Sequence, residues 1–233
     1  MIESTAPQDA FIIKTFPVGP LQCNCSIIGD KHTGRALVID PGGDAKQILN
    51  MLKQLQLKVV AIIHTHAHLD HVLGAGWVHD TWGLKPRLHP LDRPTYEQAP
   101  RSAAVYGVPM DPLPPLGADL STDELILCGQ AELEVRFTPG HAPGHVVFVY
   151  TPGQWVIAGD VLFQGSIGRT DLPGSHAPDL VTSIEEQLFT LPDAFEVWPG
   201  HGPSTKIGAE KTVNPFVNAA GTGMLQAENR SGR

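Results

Sequence analysis

Only three cysteines occur in 233 residues, an odd number with nothing of a disulfide framework about it. A reducing compartment suits such a chain, and burial and hydrogen bonding must hold it together. A cationic surplus is also missing: 16 Lys and Arg stand against 24 Asp and Glu, a net charge of −8 with no basic run. That balance excludes nucleic acid as the expected partner. No stretch approaches the ~20 apolar residues that span a bilayer. The first residues, Met1-Ile-Glu-Ser-Thr-Ala-Pro, lack the basic and apolar segments of a signal peptide. The expectation is therefore a cytoplasmic protein without a membrane anchor. Gly-x-Ser-x-Gly, the sign of a serine nucleophile elbow, is absent as well.

What is present is an ordinary globular composition, 42% hydrophobic and 17% charged, with 24 Gly and 21 Pro marking many tight turns. The length fits one domain spanning 1–233, whose glycine-rich tail from Ala219 is expected to fray. Strands are expected at 10–16, 25–29, 36–40 and 59–63, then at 124–128, 131–138, 146–151, 155–159 and 195–198. Ile48, Met51, Leu52 and Leu55 recur at helical spacing after Asp44, which reads as an N-cap with Gln47 completing a capping box. A short helix is expected over 72–79, and a second amphipathic helix over 178–190 with Leu180, Ile184 and Leu188 on one face. The Pro-rich segment 90–118 reads as a helical start followed by a long loop, in the position of a cover over a site. Cys23 and Cys25, in Leu-Gln-Cys-Asn-Cys-Ser, are expected to pack at a strand start, and Cys128 likewise.

Chemistry concentrates in residues 60–71, Val-Ala-Ile-Ile-His-Thr-His-Ala-His-Leu-Asp-His, where 4 of the 11 histidines fall within eight residues. The apolar run reads as a buried strand, so His64, His66, His68, Asp70 and His71 lie where it gives way to a loop. Three further sites repeat that design: Thr138-Pro-Gly-His141, Ala158-Gly-Asp160 and Pro199-Gly-His201 each set a His or Asp just beyond an apolar strand. Imidazole and carboxylate donors suit zinc first, with iron or manganese as alternatives. Counting donors gives His66, His68 and His141 for one divalent ion, Asp70, His71 and His201 for a second, and Asp160 as the bridge. His64 and His145, each beside a ligand motif, read as supports or structural residues, and His79 and His89 as structural or solvent-facing.

His66-x-His68-x-Asp70-His71, the later His141, Gly-Asp160 and the final Gly-His201 together resemble the metallo-β-lactamase superfamily. The resemblance covers roughly residues 10–215. It implies an α/β fold, a four-layer αβ/βα sandwich of two mixed sheets with flanking helices, carrying metals on a shared edge. Ser166-Ile-Gly-Arg169-Thr-Asp171 after Asp160 further resembles the glyoxalase II branch, the hydroxyacylglutathione hydrolases. The implied activity is hydrolysis of S-lactoylglutathione or a related acyl thioester by a hydroxide formed at the two ions. Asp70, a ligand, also aims that hydroxide, and the partner is a small-molecule thioester. Arg169 and Asp171 are expected to order their loop by pairing, or to touch substrate. Two other readings stay open. One is a persulfide dioxygenase-like oxidoreductase with a single iron on His66, His141 and Asp160; the other is a lactone or phosphodiester hydrolase of the same fold. β-Lactamase members of the superfamily usually lack the bridging Asp, which argues against drug hydrolysis.

One departure from the branch bears on substrate. Full-length glyoxalase II members hold glutathione carboxylates with basic residues of a helical C-terminal region and with a Tyr soon after the bridging Asp. Here 32 residues follow His201, with only Lys206, Lys211, Arg230 and Arg233 as cations, and Asp171 stands in the region of that Tyr. Losing two charged contacts of ~1.5–3 kcal/mol each weakens binding by roughly a few hundredfold or more. Poorly saturable hydrolysis of lactoylglutathione, with wide tolerance of the thiol half, is the expectation.

Overall fold

A computed structural model describes residues 11–226 of the chain. β1 (Phe11–Val18), β2 (Cys23–Asp30), β3 (Arg35–Ile39) and β4 (Lys58–Ile63) form one sheet in that order. β1–β2 and β2–β3 are antiparallel pairs, and β3–β4 is parallel because α1 (Ala45–Gln54) carries the chain back between them. The second sheet has the order β12-β11-β8-β7-β6-β5. Its members are β5 (Leu125–Cys128), β6 (Ala131–Phe137), β7 (Val146–Tyr150), β8 (Trp155–Gly159), β11 (Glu196–Pro199) and β12 (Thr205–Lys206). β5 to β8 form an antiparallel meander, whereas β11 lies parallel to β8. A small hairpin, β9 (Leu162–Phe163) with β10 (Ser166–Ile167), follows β8.

Three apolar layers explain the four-layer arrangement. Ile28, Leu37, Ile39 and Ile63 of the first sheet meet Leu133, Val135, Phe148 and Ile157 of the second between the sheets. On the outer face of the first sheet, Ile27, Val38 and Ile62 pack on Ile48 and Leu52 of α1 and Val78 of α3 (Ala75–Trp82). On the outer face of the second, Val147, Val149 and Val156 pack on Leu180 of α5 (Ala177–Ser183) and on Ile184 and Leu188 of the π-helical turn that extends it. Each fully buried Ile or Leu here is worth ~1.5–3 kcal/mol of transfer free energy. Alternation of strand residues toward two apolar faces is therefore what fixes the sandwich. Among the described residues, no helix is long and apolar enough to cross a membrane.

Several local expectations need correction. Asp44 does precede α1, but with φ +45° its carboxylate accepts a hydrogen bond from Gly19 N (2.8 Å) and caps nothing, so no capping box forms. Segment 90–118 does begin as helix and continue as loop from Gly107, but the helix is long: α4 runs Arg93–Tyr106 with Pro100 inside it, and Tyr96, Ala99 and Ala103 pack beside Leu69, Val72 and Leu73. α4 buttresses α2 (Leu69–Val72), and Val108, Met110, Leu113 and Leu116 of the loop pack against the same cluster. The short helix of 72–79 is divided, α2 ending at Val72 and α3 beginning at Ala75. The tail from Ala219 does not fray at once, because Gln226 accepts hydrogen bonds from Asn218 N (2.9 Å) and Gly223 N (3.1 Å) and donates to Glu185. The rest of that expectation, 227–233, lies outside the described residues. α6 (Ile207–Val213) had no clear sequence signal; its buried Glu210 accepts from Thr205 Oγ1, Gly165 N and Asn214 Nδ2.

Candidate metal centre

Strand direction brings the expected ligands together. β6, β8 and β11 run the same way, so their C-terminal ends share one side of the second sheet. His141 follows β6, Asp160 follows β8, and His201 follows β11. In the first sheet the parallel pair β3 and β4 ends at Asp40 and at the His64–His68 segment, which leads into α2 with Asp70 and His71. Glycine is required at one of these ends. A Cβ on Gly200 would collide with Asp160 Oδ1 and lie 2.9 Å from His71 Cε1.

The seven side chains form one cluster. His68 Nδ1 is 2.8 Å from His141 Nε2, which is 3.5 Å from Asp160 Oδ2. Asp160 Oδ1 is 3.4 Å from His71 Nε2, and His201 Nε2 is 2.8 Å from Asp70 Oδ2 and 3.8 Å from Asp160 Oδ2. Donor atoms of His66, His68 and His141 lie within 4.8 Å of one another, as do those of His66, His71 and Asp160. Asp160 thus faces both groups.

Hydrogen bonds behind the rings decide which nitrogens point inward. His141 Nδ1 is 2.8 Å from the Arg169 carbonyl, which only accepts, so Nδ1 carries the proton and Nε2 the lone pair. Asp40 Oδ2 accepts from His71 Nδ1 (2.9 Å) and from the Thr65 hydroxyl (2.6 Å), and that hydroxyl in turn accepts from His66 Nδ1 (3.1 Å). His66 Nε2, His71 Nε2 and Asp160 Oδ1 are left buried with no hydrogen-bond partner. An unpaired buried polar atom costs ~1–3 kcal/mol, and three of them converge here. A mixed imidazole–carboxylate set with outward nitrogens anchored is the donor chemistry of a divalent cation.

Electrostatics agree. Burial, then repulsion from His71 and His68, holds His66 well below its ordinary pKa. Burial and His141 push His68 down to about 3, and burial lowers His141 too. Burial alone would raise Asp160 and Asp70, but the His71 charge and the other imidazoles outweigh it and keep both carboxylates ionised. His71 goes the other way. Burial opposes its protonation, yet Asp70, Asp40 and Asp160 surround it and raise it well above the usual imidazole value. The Cys23 thiol beside it, pushed up to about 12 by burial, is neutral and adds no such charge. His201 is raised mainly by its hydrogen bond to Asp70.

Sequence reasoning missed some of the supports. Asp40 is one of them, although Ala36-Leu-Val-Ile-Asp40 repeats the apolar-strand-then-acid pattern that marks Asp160. Arg169 acts through its main-chain carbonyl, which no sequence pattern announces. Cys25 packs in the core as expected, but Cys23 Sγ lies 3.5 Å from His71 Nδ1, at the edge of the cluster. His64 is fully buried, its Nδ1 3.6 Å from Asp40 Oδ1. His89 stacks on Phe137 and His79 faces Asp80 at the surface, both apart from the cluster. At the rim, Arg169 Nε and Nη2 donate to Asp171 (2.6 and 2.7 Å), with the two side chains 59% and 67% exposed. Lys211 Nζ is held by Leu191 O and Asp193, whereas Lys206 is exposed. Arg230 and Arg233 lie outside the described residues.

The family model of the metallo-β-lactamase superfamily matches residues 18–201, well over half of the chain. The chain belongs to the metallo-β-lactamase superfamily. Members of this superfamily are mostly hydrolases. The hydroxyacylglutathione hydrolase GloC of Haemophilus influenzae is 36% identical over 209 residues, covering 89% of this chain and 98% of that protein. Among solved structures, BLEG-1 B3 metallo-β-lactamase superposes with a TM-score of 0.82 at 38% identity, covering 88% of this chain and 99% of its own. TTHA1623 in a di-iron-bound form gives 0.80 at 37% identity, with 88% and 100% covered. ETHE1 from Myxococcus xanthus gives 0.74 at 26%, with 89% and 85% covered. These likenesses are compatible with the glyoxalase II-like branch of the superfamily. Within the superfamily, the His/Asp cluster suits divalent metal ions.

Proposed function

We propose that this metallo-β-lactamase-fold chain is a binuclear metal-dependent thioester hydrolase acting on acyl thioesters of small thiols, lactoylglutathione among them. The observation that carries the reading is the convergence of unpaired donor atoms on both sides of Asp160. His66, His68 and His141 would hold one ion and Asp70, His71 and His201 the other, with Asp160 between them. Zinc fits this donor set, and the di-iron form of TTHA1623 makes iron the first alternative. When bound, two such ions supply an acidified water and Lewis acidity toward a carbonyl oxygen.

The chain's own residues do the rest. Asp70 is ionised and its side chain is 17% exposed, so it can accept a hydrogen bond from the attacking water and aim it. His201, 33% exposed beside it, leaves this side of the cluster open to substrate. The water gives up one proton to solvent as the C–O bond forms, the C–S bond breaks, and the departing thiolate takes a proton back from solvent. Lys211 is already held by Asp193 and Arg169 by Asp171, so neither cation is free for a glutathione carboxylate, which supports weak, unselective holding.

The likeness to BLEG-1 favours a second reading, opening of a β-lactam ring by the same attack. Purified protein of measured metal content would be assayed against lactoylglutathione, acyl thioesters of other thiols, a cephalosporin, a lactone and a glutathione persulfide with oxygen uptake recorded. The expected result is two ions per chain and thioester turnover that saturates poorly with glutathione esters. Cephalosporin turnover without thioester turnover, or oxygen uptake on a single iron, overturns the proposal. Tight glutathione-selective saturation overturns its account of the thiol half.

A further inference from the structure

His145 is fully buried and is not one of the seven side chains of the cluster, yet it touches two of them. Its Nε2 accepts a hydrogen bond from the backbone N–H of Asp160 (3.1 Å). A nitrogen that accepts carries no proton, so the proton of this neutral ring sits on Nδ1, which lies 3.0 Å from Thr138 Oγ1. The ring also stacks on His66, centroids 4.8 Å apart at 26°. Its backbone closes the base of the loop that presents His141, through Thr138 N to His145 O (2.8 Å). Gly159 adopts φ +48°, and a Cβ there would lie 2.7 Å from His145 Nε2, so the chain entering Asp160 rests directly on this ring.

We infer that His145 is a positioning residue. Fixed by Thr138, it sets the Asp160 main chain and the plane of His66 together, so that the bridging carboxylate and a ligand of the first ion keep one geometry. The inference deepens the binuclear reading and rests on it. An acceptor at the Nε2 position is essential to it, because that atom holds the N–H of Asp160 beside the face of His66. Partners of this kind behind metal ligands typically contribute about 10–100-fold in affinity.

Gln and Asn divide the functions of the ring. In His145→Gln the amide oxygen reaches the Nε2 position and can accept from Asp160 N–H; in His145→Asn it reaches only the Nδ1 position. The test is zinc affinity by chelator competition, beside the thermal midpoint of the metal-free protein. His145→Asn is expected to bind zinc about 10–100-fold more weakly than wild type, with His145→Gln close to wild type and the two metal-free midpoints alike. Equal zinc affinity in all three proteins overturns the inference. So does equal weakening in both variants that follows a fall in the metal-free midpoint, since that marks a packing role only. Should His145→Asn fail to fold, Thr138→Val and Thr138→Ser decide: weakening by Val with rescue by Ser supports the inference, and no weakening overturns it. A wild-type protein that takes up fewer than two ions refutes the binuclear reading itself, which separates the two failures.

Discussion

His66, His68 and His141 face one another with burial keeping their rings neutral, whereas His71 and His201 face carboxylates that favour their protonated forms. Both halves lie on the same edge and are built largely from histidine. They differ in what stands behind the rings. A neutral carbonyl of Arg169 backs His141, while the Asp40 carboxylate backs His71 directly and Asp70 meets His201. Ligand charge, more than ligand number, separates the two halves. Harder, carboxylate-rich surroundings favour oxygen-loving ions relative to an all-imidazole set, so the halves are expected to differ in affinity.

Asp160→Asn is the largest expected perturbation, because Asp160 is the carboxylate that faces both halves. Turnover should fall by more than the roughly hundredfold that a supporting residue can cost, with both ions weakened. Elemental analysis after gel filtration checks this, and retention of one ion at full strength would show that the halves are independent. Asp40→Asn should act unequally. It contacts His71 directly but reaches His66 only through Thr65, so one ion should weaken by about 10–100-fold and the other by less. Stepwise chelator titration with a chromophoric indicator resolves the two.

Asp30 supplies the contrast of a buried carboxylate whose needs the fold itself meets. Burial pushes its pKa up, but hydrogen bonds from His32 N, the Thr33 hydroxyl, Gln130 N and Thr33 N more than offset this and hold it below the usual range. A carboxyl with a lowered folded-state pKa stabilises the protein above its unfolded pKa of ~3.9. That contribution is lost as pH falls through the lowered folded value. Asp30→Asn should therefore cost ~1–3 kcal/mol at neutral pH, with the difference from wild type vanishing in strong acid and zinc affinity unchanged. Urea unfolding across pH measures it. Smallest of all, Arg169→Ala removes an exposed pair with Asp171 but keeps the carbonyl that orients His141. The thermal midpoint and ion stoichiometry should stay at wild-type values, so any change in turnover in this variant would report substrate contact.

Much of this was legible locally. Apolar runs that give way to an imidazole or, through Gly, to an acid or imidazole mark strand ends in any register, and β4, β6, β8 and β11 all terminate where such patterns occur. The helical face of Ile48 and Leu52 and the paired burial of β7 were equally plain. What misled was capping at Asp44, where a partner 25 residues away, Gly19 N, took the carboxylate. At 90–118 the helical start runs longer than its proline content suggests, since Pro94 stands in the first turn of α4, where it costs no hydrogen bond, and packing on α2 holds the rest. By itself, then, the sequence determined the strand ends, the donor types and their order along the chain, because each depends on neighbours within a few residues. The tertiary structure decided which nitrogen of each imidazole points inward, that Asp40 backs His71, and that His145 carries the backbone of Asp160. Those choices depend on hydrogen bonds between residues 15 to 31 positions apart, and only the packing of two sheets brings such partners within reach.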